Sequence, residues 1–179
     1  RSSLTAFCLA RYCSSFLSPN LGEPMELLLK NIHENIGNEM TTTDWVFIDQ
    51  MQVDIFGKVT RWYNQGHNDP SWAAENSPHG GTLLHGFFTI SLITHFLKLG
   101  GFYFPDGQNP LNYGMDKARI LRPVLIGEGV KLRDRISLLD VQDKGEGCRL
   151  VKTGHQIETD KNAEGPVAYV EYLNFWYPK

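Results

Sequence analysis

The densest run of apolar side chains along the chain lies between two pairs of glycines, in residues 79–101. Its ten leucine, isoleucine and phenylalanine residues cover nearly every direction of a helix with 3.6 residues per turn. A helix that is apolar on all sides is buried rather than lying on a surface. The pattern therefore predicts a buried helix over residues 83–99. At about 25 Å it is short for a membrane span, and polar residues interrupt it.

The last third of the chain carries the alternation and the β-branched and aromatic residues that are typical of strands. The sequences DKGEG and TDKNAEG separate the last three strands as turns, which predicts an antiparallel meander. The predicted strands are residues 113–121, 131–141, 148–159 and 166–177. Together with the buried helix they predict an α+β fold, an antiparallel sheet wrapped around one long central helix.

The first half of the domain shows weaker patterns. Residues 24–35, PMELLLKNIHEN, have apolar positions at helical spacing and predict a short helix. Residues 45–48 predict a strand, and Asp49 is predicted to cap a helix that ends near Val59. Met51, Val53 and Ile55, together with Phe56, are expected on the buried side of this helix. Residues 61–78 are predicted to form a polar loop.

Composition and charge narrow the class of protein. The chain has 179 residues, 41% hydrophobic and 21% charged residues, and a net charge of −3. These values indicate a soluble globular domain, and the charge favours neither nucleic acid nor an anionic membrane as partner. The three cysteines form no disulfide framework and have no zinc-binding spacing, so no metal site is predicted and a reducing compartment is expected.

Residues 1–22 differ in composition from the rest. They contain two arginines and five serines but no acidic residue. This composition is typical of an organellar transit peptide. We therefore predict a transit-like segment or a retained N-terminal arm over residues 1–22, followed by one domain over residues 23–179. Mitochondrial localisation is the favoured prediction, with the cytoplasm as the alternative.

Four segments resemble one known family. GGTLLHGFFTISL in the central helix is similar to the signature of the MaoC-like dehydratases, a hotdog-fold family that includes (R)-specific enoyl hydratases and a nodulation protein N-like branch. Upstream, DWVFIDQMQVDIF and the segment His67-Asn68-Asp69-Pro70 with Ala73 also match. Downstream, Asn112-Tyr113-Gly114, Arg119 and Pro123-Val124 complete the pattern. The resemblance covers residues 30–177.

The resemblance implies a single hotdog and a reaction that adds water to, or removes it from, an acyl thioester without a cofactor. The substrate would be acyl-CoA or an acyl group on the phosphopantetheine of an acyl carrier protein. Pairing as a homodimer or with a related hotdog subunit is implied. His67 matches the catalytic histidine, Asn64 a nearby asparagine, and Gly86 the residue whose backbone N–H binds the thioester oxygen. The implied substrate-binding residues are Gly81, His85, Asn112, Tyr113 and Gly114.

One position departs from the family pattern. The family's catalytic aspartate should lie five residues before His67, where this chain has Trp62. An indole has a single N–H donor and cannot take a proton from water. Three interpretations follow. The fold is kept and the activity is lost; or a different group supplies the carboxylate, with Asp69 or Glu75 nearest in sequence; or the histidine alone serves a related reaction, or the protein binds an acyl thioester without turnover.

The functional hypotheses stay open at this point. The chain is an (R)-specific hydratase or dehydratase, a non-catalytic subunit of a larger mitochondrial complex, or an acyl-thioester-binding module. Lys117, Arg119 and Arg122 are candidates for the phosphates of the carrier, with a solvated strand edge as the alternative. His95 is interpreted as a core histidine, and His155 is expected on one face of a strand.

Overall fold

The structure is a computed structural model that describes residues 27–161 and 164–179. The predicted arm over residues 1–22 lies outside the described residues. The helices are α1 (Gln50–Val59), α2 (Gln65–Asn68), α3 (Pro70–Asn76), α4 (Gly86–Ser91) and α5 (Ile93–Leu99). The strands are β1 (Glu39–Thr42), β2 (Val46–Ile48), β3 (Leu111–Ile120), β4 (Val130–Asp143), β5 (Arg149–Thr159) and β6 (Ala168–Trp176).

All six strands form one antiparallel sheet in the order β1-β4-β5-β6-β3, and β2 also pairs with β4. The predicted meander of the last three strands is confirmed. The turn between β4 and β5 contains Gly145 and Gly147, both with positive φ, and is closed by a hydrogen bond from Lys144 N to Cys148 O. Glycine adopts this backbone conformation without steric cost, which is why this turn can be tight.

The core lies between one face of the sheet and the two central helices. Leu132 and Ile136 of β4 are fully buried on the same face, because alternate residues of a strand point to the same side. Phe96 of α5 is also fully buried. The opposite face of the sheet carries ion pairs such as that between Arg133 and Glu158, at 2.8 Å. The predicted α+β hotdog architecture is therefore confirmed.

The central helix differs from its prediction. Instead of one rod over residues 83–99, the chain forms α4 and α5, which meet at Leu92. Leu84 precedes α4, and its N–H donates to Val124 O. The helix is not buried on all sides, since Phe87 is 79% exposed. The sequence pattern shows which side chains are apolar, but it does not show which of them another element of the fold buries.

Three further expectations are corrected. Of the helix predicted over residues 24–35 the structure describes residues 27–35, and within them the helical element is a 3-10 turn at Ile32–Asn35. The Leu29 and Lys30 amides donate to the Asp106 carboxylate instead of continuing a helix. The loop predicted over residues 61–78 contains α2 and α3. Met51 and Ile55, expected on the buried side of α1, are more than half exposed.

The start of α1 agrees with its prediction. Asp49 is the N-cap, its carboxylate accepts from the Gln52 amide, and the Gln52 side chain accepts from the Asp49 amide. This reciprocal capping box satisfies donors that the first turn would leave unpaired. Among the described residues, no helix combines the length and the apolar character needed to cross a membrane.

Candidate active site

A cavity of about 410 Å³ opens between the end of α1, the short helix α2 and the start of α4. It is the place where sequence reasoning expected a thioester. The described residues that line it include no aspartate or glutamate. They are Phe56, Thr60, Trp62, His67, His85, Gly86 and Phe87.

The position of His67 is fixed by the start of α2 and by the segment ahead of α4. It lies on α2, whose first turn begins where the Asn64 side chain accepts from the Gly66 amide. The His67 Nδ1 atom lies 2.8 Å from the Leu83 carbonyl oxygen. A carbonyl oxygen only accepts, so the ring proton resides on Nδ1 in this hydrogen bond. The Nε2 atom of the neutral ring is therefore left with a lone pair, as a base requires.

His85 lies against His67 and is nearly enclosed. It occupies the N-cap position of α4, is 5% exposed, and stacks on the His67 ring with 3.9 Å between centroids. Its Nε2 atom is buried and has no hydrogen-bond partner among the described residues. Burial and, as a smaller effect, the proximity of His67 together lower the pKa of His85 to about 4. His85 is therefore neutral at physiological pH.

Gly86 begins α4 at the wall of the cavity. A side chain at this position would place its Cβ 2.8 Å from Cγ1 of Ile120, so the close approach requires glycine. The first amides of a helix have no partner within the helix, and the helix dipole favours negative charge there. The backbone at Gly86 can therefore hold an oxygen on which negative charge develops.

The position of Trp62 follows from the way α1 ends. The Trp62 amide donates to Gly57 O at 2.9 Å, and the Arg61 amide donates to Lys58 O at 3.2 Å, which together form a Schellman motif. Arg61 has a φ of +59° at the position where glycine is preferred. Trp62 is 63% exposed and lines the cavity. The side chain in the aspartate's place is thus an indole at the cavity wall.

Comparisons with known proteins place the chain in a family. The family model described as MaoC like domain matches residues 31–161. This chain belongs to the MaoC-like family. It is 35% identical over 120 residues to nodulation protein N of Rhizobium leguminosarum bv. viciae, covering 67% of this chain and 73% of the relative. It is 31% identical over 128 residues to 3-hydroxyacyl-thioester dehydratase Z of Mycobacterium tuberculosis, covering 72% and 82%.

Solved structures share the fold at lower identity. (R)-hydratase PhaJ1 from Pseudomonas aeruginosa aligns with a TM-score of 0.62 at 18% identity, over 79% of this chain and 83% of that one. The C-terminally truncated HadBC (3R-hydroxyacyl-ACP dehydratase) complex from Mycobacterium tuberculosis aligns with a TM-score of 0.54 at 17% identity, over 74% and 90%. The MaoC-like resemblance of the motifs is therefore confirmed, and so is the hotdog fold.

The structure gathers His67, His85 and Gly86 at the cavity, but it does not bring the other predicted site residues to it. The Asn64 side chain caps α2. Gly81 packs near the Leu125 side chain. The remaining three residues lie on β3, at the edge of the sheet; they are Asn112, whose Oδ1 accepts from Tyr172 Oη at 2.6 Å, Tyr113, which is 64% exposed, and Gly114.

Neither candidate for a replacement carboxylate lines the MaoC-like cavity. Asp69 caps α3 by accepting from the Trp72 amide at 2.9 Å, and Glu75 is exposed on the same helix. The interpretation that one of them replaces the family's aspartate therefore finds no support within this chain. Among the described residues, no three histidine, cysteine, aspartate or glutamate side chains cluster in a way that could hold a metal ion.

The three candidate phosphate-binding cations are also away from the lining. Lys117 lies 3.9 Å from Glu171, and its Nζ is 5.0 Å from the Tyr169 ring centroid. The guanidinium of Arg119 donates to Ala118 O, and that of Arg122 donates to Pro166 O. Their proposed contact with the carrier's phosphates stays a prediction.

One of the two remaining histidines is placed differently from expectation. His95, interpreted as a core residue, is exposed. His155 does lie on one face of β5, but that face is the core, where its Nδ1 is 2.6 Å from Asp134 Oδ2 and its Nε2 is 2.8 Å from Thr153 Oγ1. Sequence reasoning also missed Gln50, which contacts the backbone of His67. The alternation of residues along β4 and β5 indicates that Asp134 and His155 each lie on one face of a strand. Their pairing also depends on how the two strands align, which the sequence pattern does not give.

Proposed function

We propose that the cavity beside His67 binds an acyl thioester, and that Trp62 leaves it without the carboxylate needed for hydration at the rate typical of a hydratase. The observation that carries the proposal is the cavity lining. It combines a histidine base and the backbone at the start of α4 with an indole in place of a carboxylate. The substrate class is supported by the relative at 31% identity, a 3-hydroxyacyl-thioester dehydratase, whose dehydration product is an enoyl thioester.

The residues of the site divide the chemistry between them. The thioester oxygen would accept from the backbone N–H at Gly86, where the helix dipole stabilises negative charge. With the His67 proton on Nδ1, the Nε2 lone pair would accept a proton from water or from the carbon next to the thioester carbonyl. Hydration also needs a second group to orient the water, and general acid–base groups contribute about 10²–10⁴-fold each. Trp62 offers only an N–H donor and has no acceptor atom that could take a proton from that water.

The same site can be tested for binding and for turnover. The purified protein is titrated with crotonyl-CoA. Tryptophan fluorescence or calorimetry measures binding, and the enoyl absorbance measures hydration. The expected result is saturable binding, weakened by His67→Ala, with slow or no loss of absorbance. Absence of binding contradicts the proposed function altogether. Rapid hydration by the wild-type chain contradicts only the role given to Trp62.

A second subunit is the partner we propose for the edge of the sheet. Within the described sheet β3 pairs with β6 alone, and it exposes Leu111, Tyr113 and Met115. An edge strand with exposed apolar side chains is a template for pairing with another strand. A second copy of this chain fits this edge, and the HadBC complex offers a precedent for pairing with a related hotdog subunit. Sedimentation analysis should give a dimer that Tyr113→Lys/Met115→Lys dissociates, and a monomeric wild-type chain would contradict the self-pairing.

A further inference from the structure

The side chain of Gln50 joins three segments around the candidate site. Its Nε2 donates to the His67 carbonyl oxygen at 2.8 Å and to Asp54 Oδ1 at 2.9 Å. Its Oε1 accepts from Thr82 Oγ1 at 2.6 Å. One amide at the first turn of α1 is therefore bonded both to the helix that carries His67 and to the segment that leads into α4.

Asp54 fixes which way this amide points. A carboxylate only accepts hydrogen bonds, so the group of Gln50 that faces Asp54 must be the NH₂. Asp54 Oδ1 also accepts from Asn68 Nδ2 at 3.0 Å, and Asn68 is buried. With the NH₂ group held in this way, the oxygen of Gln50 must face Thr82. The network therefore determines which end of the Gln50 amide donates and which end accepts.

The contacts of Gln50 close a ring of hydrogen bonds behind the His67 imidazole. The His67 ring donates from Nδ1 to Leu83 O at 2.8 Å, and the Leu83 amide donates to Gly66 O at 3.0 Å. Leu83 follows Thr82 directly. Gln50 therefore connects the His67 backbone to Thr82, and so to the Leu83 carbonyl that holds the His67 ring.

We propose that Gln50 is a positioning residue that holds His67 in the tautomer and orientation in which Nε2 faces the thioester. The part of this proposal that concerns the thioester rests on the proposed function. Gln50 acts through His67 and not through contact with the substrate. Its physical basis is that a hydrogen bond of a half-buried network loses strength steeply when the partners separate. If Thr82 and α2 move apart, the Leu83 carbonyl no longer holds the proton on Nδ1.

The test uses variants that remove a hydrogen bond with little change of shape. Thr82→Val removes the hydroxyl that donates to Gln50, whereas Thr82→Ser keeps it. Gln50→Met removes both ends of the amide. Val53→Ala is the control for general loosening of α1, because Val53 is fully buried on the same helix and its side chain is outside the network. Histidine labelled with ¹⁵N reports the tautomer of His67, assigned by the signal lost in His67→Ala.

The expected result is a single Nδ1–H tautomer in the wild-type chain, in Thr82→Ser and in Val53→Ala. Thr82→Val and Gln50→Met should show a mixture of tautomers and bind crotonyl-CoA about threefold to tenfold more weakly, the effect of one net hydrogen bond. Wild-type signals and affinity in both variants would overturn the proposal, as would an equal loss in Thr82→Ser or Val53→Ala. If the wild-type chain binds no thioester, the proposed function fails, and the tautomer measurement still decides the role of Gln50.

Discussion

The imidazole rings of His67 and His85 stack with 3.9 Å between their centroids and 26° between their planes. The His67 ring is anchored to the Leu83 carbonyl, and the His85 ring is buried with no hydrogen-bond partner for its Nε2 within the described part of the chain. Two imidazolium ions at this separation would repel each other strongly in a desolvated site. The pair therefore works with one charge at most, and His85 is the member that stays neutral.

The low pKa of His85 predicts how stability depends on pH. Its pKa falls from 6.5 in the unfolded chain to about 4 in the folded one. Between these values the unfolded state binds more protons, so the free energy of unfolding should decrease as the pH falls from 6.5 toward 4. Urea unfolding of the wild-type chain and of His85→Gln at a series of pH values measures this dependence, which should be smaller in the variant. A His85 ring that titrates near 6.5 in NMR would contradict the prediction.

Gly86 is predicted to tolerate no side chain while Ile120 is present. In Gly86→Ala the new Cβ would lie 2.8 Å from Ile120 Cγ1, and such overpacking destabilises by about 1–3 kcal/mol. Ile120→Ala removes the clash, so adding Gly86→Ala to Ile120→Ala should lower the free energy of unfolding much less than Gly86→Ala does in the wild-type chain. Thermal unfolding of the four proteins forms a double-mutant cycle. Additive effects of the two substitutions would show that the close approach is not the cause.

Arg61 is predicted to be less favourable than glycine where it stands. Its left-handed backbone costs a residue with a Cβ about 1–2 kcal/mol, so Arg61→Gly should raise the free energy of unfolding by about 1 kcal/mol. Lys58→Gly, three residues earlier and inside α1, should instead lower it by about 1 kcal/mol. Denaturant unfolding distinguishes these opposite signs. A loss of stability in Arg61→Gly would mean that the arginine side chain makes a stabilising interaction.

Much of the fold was predictable because its signals are local. The alternation of apolar and polar residues in β4 and β5 predicted both strands, and Asp49 predicted the start of α1. The interruption of the central helix at Leu92 and the exposure of Phe87 were not predictable in the same way. They depend on which neighbouring elements cover each side chain, and a single chain's pattern does not contain that information.

The candidate site was predictable only where a motif carried it. His67 and Gly86 were identified through the family resemblance, and the structure brings both to one cavity. Gln50 was missed because its contacts join residues 17 and 32 positions away in sequence. The organellar location, the carrier and the roles assigned to Asn112 and Tyr113 stay predictions.

The buried pair of Asp134 and His155 is predicted to stabilise the core. Both side chains are fully buried, and Asp134 Oδ1 has no partner among the described residues. Asp134→Ala would leave His155 Nδ1 unpaired in the core, which should lower the free energy of unfolding by about 1–3 kcal/mol. Asp143→Ala, which removes an exposed carboxylate paired with Arg149 at 3.2 Å, should change it by about 0.5 kcal/mol or less. Equal effects of the two substitutions would contradict the role of the buried pair.

The central claim is that Trp62 is what separates this MaoC-like site from a hydratase. The most direct measurement is kcat/KM for the hydration of crotonyl-CoA by the wild-type chain, Trp62→Asp and Trp62→Asn. A carboxylate five residues before His67 can orient and activate water, so Trp62→Asp should raise kcat/KM by about 10²–10⁴-fold. Trp62→Asn opens the same space without a base and should give little of this gain. A wild-type chain as active as Trp62→Asp, or a Trp62→Asp chain that binds crotonyl-CoA but hydrates it no faster than the wild type, would contradict the account.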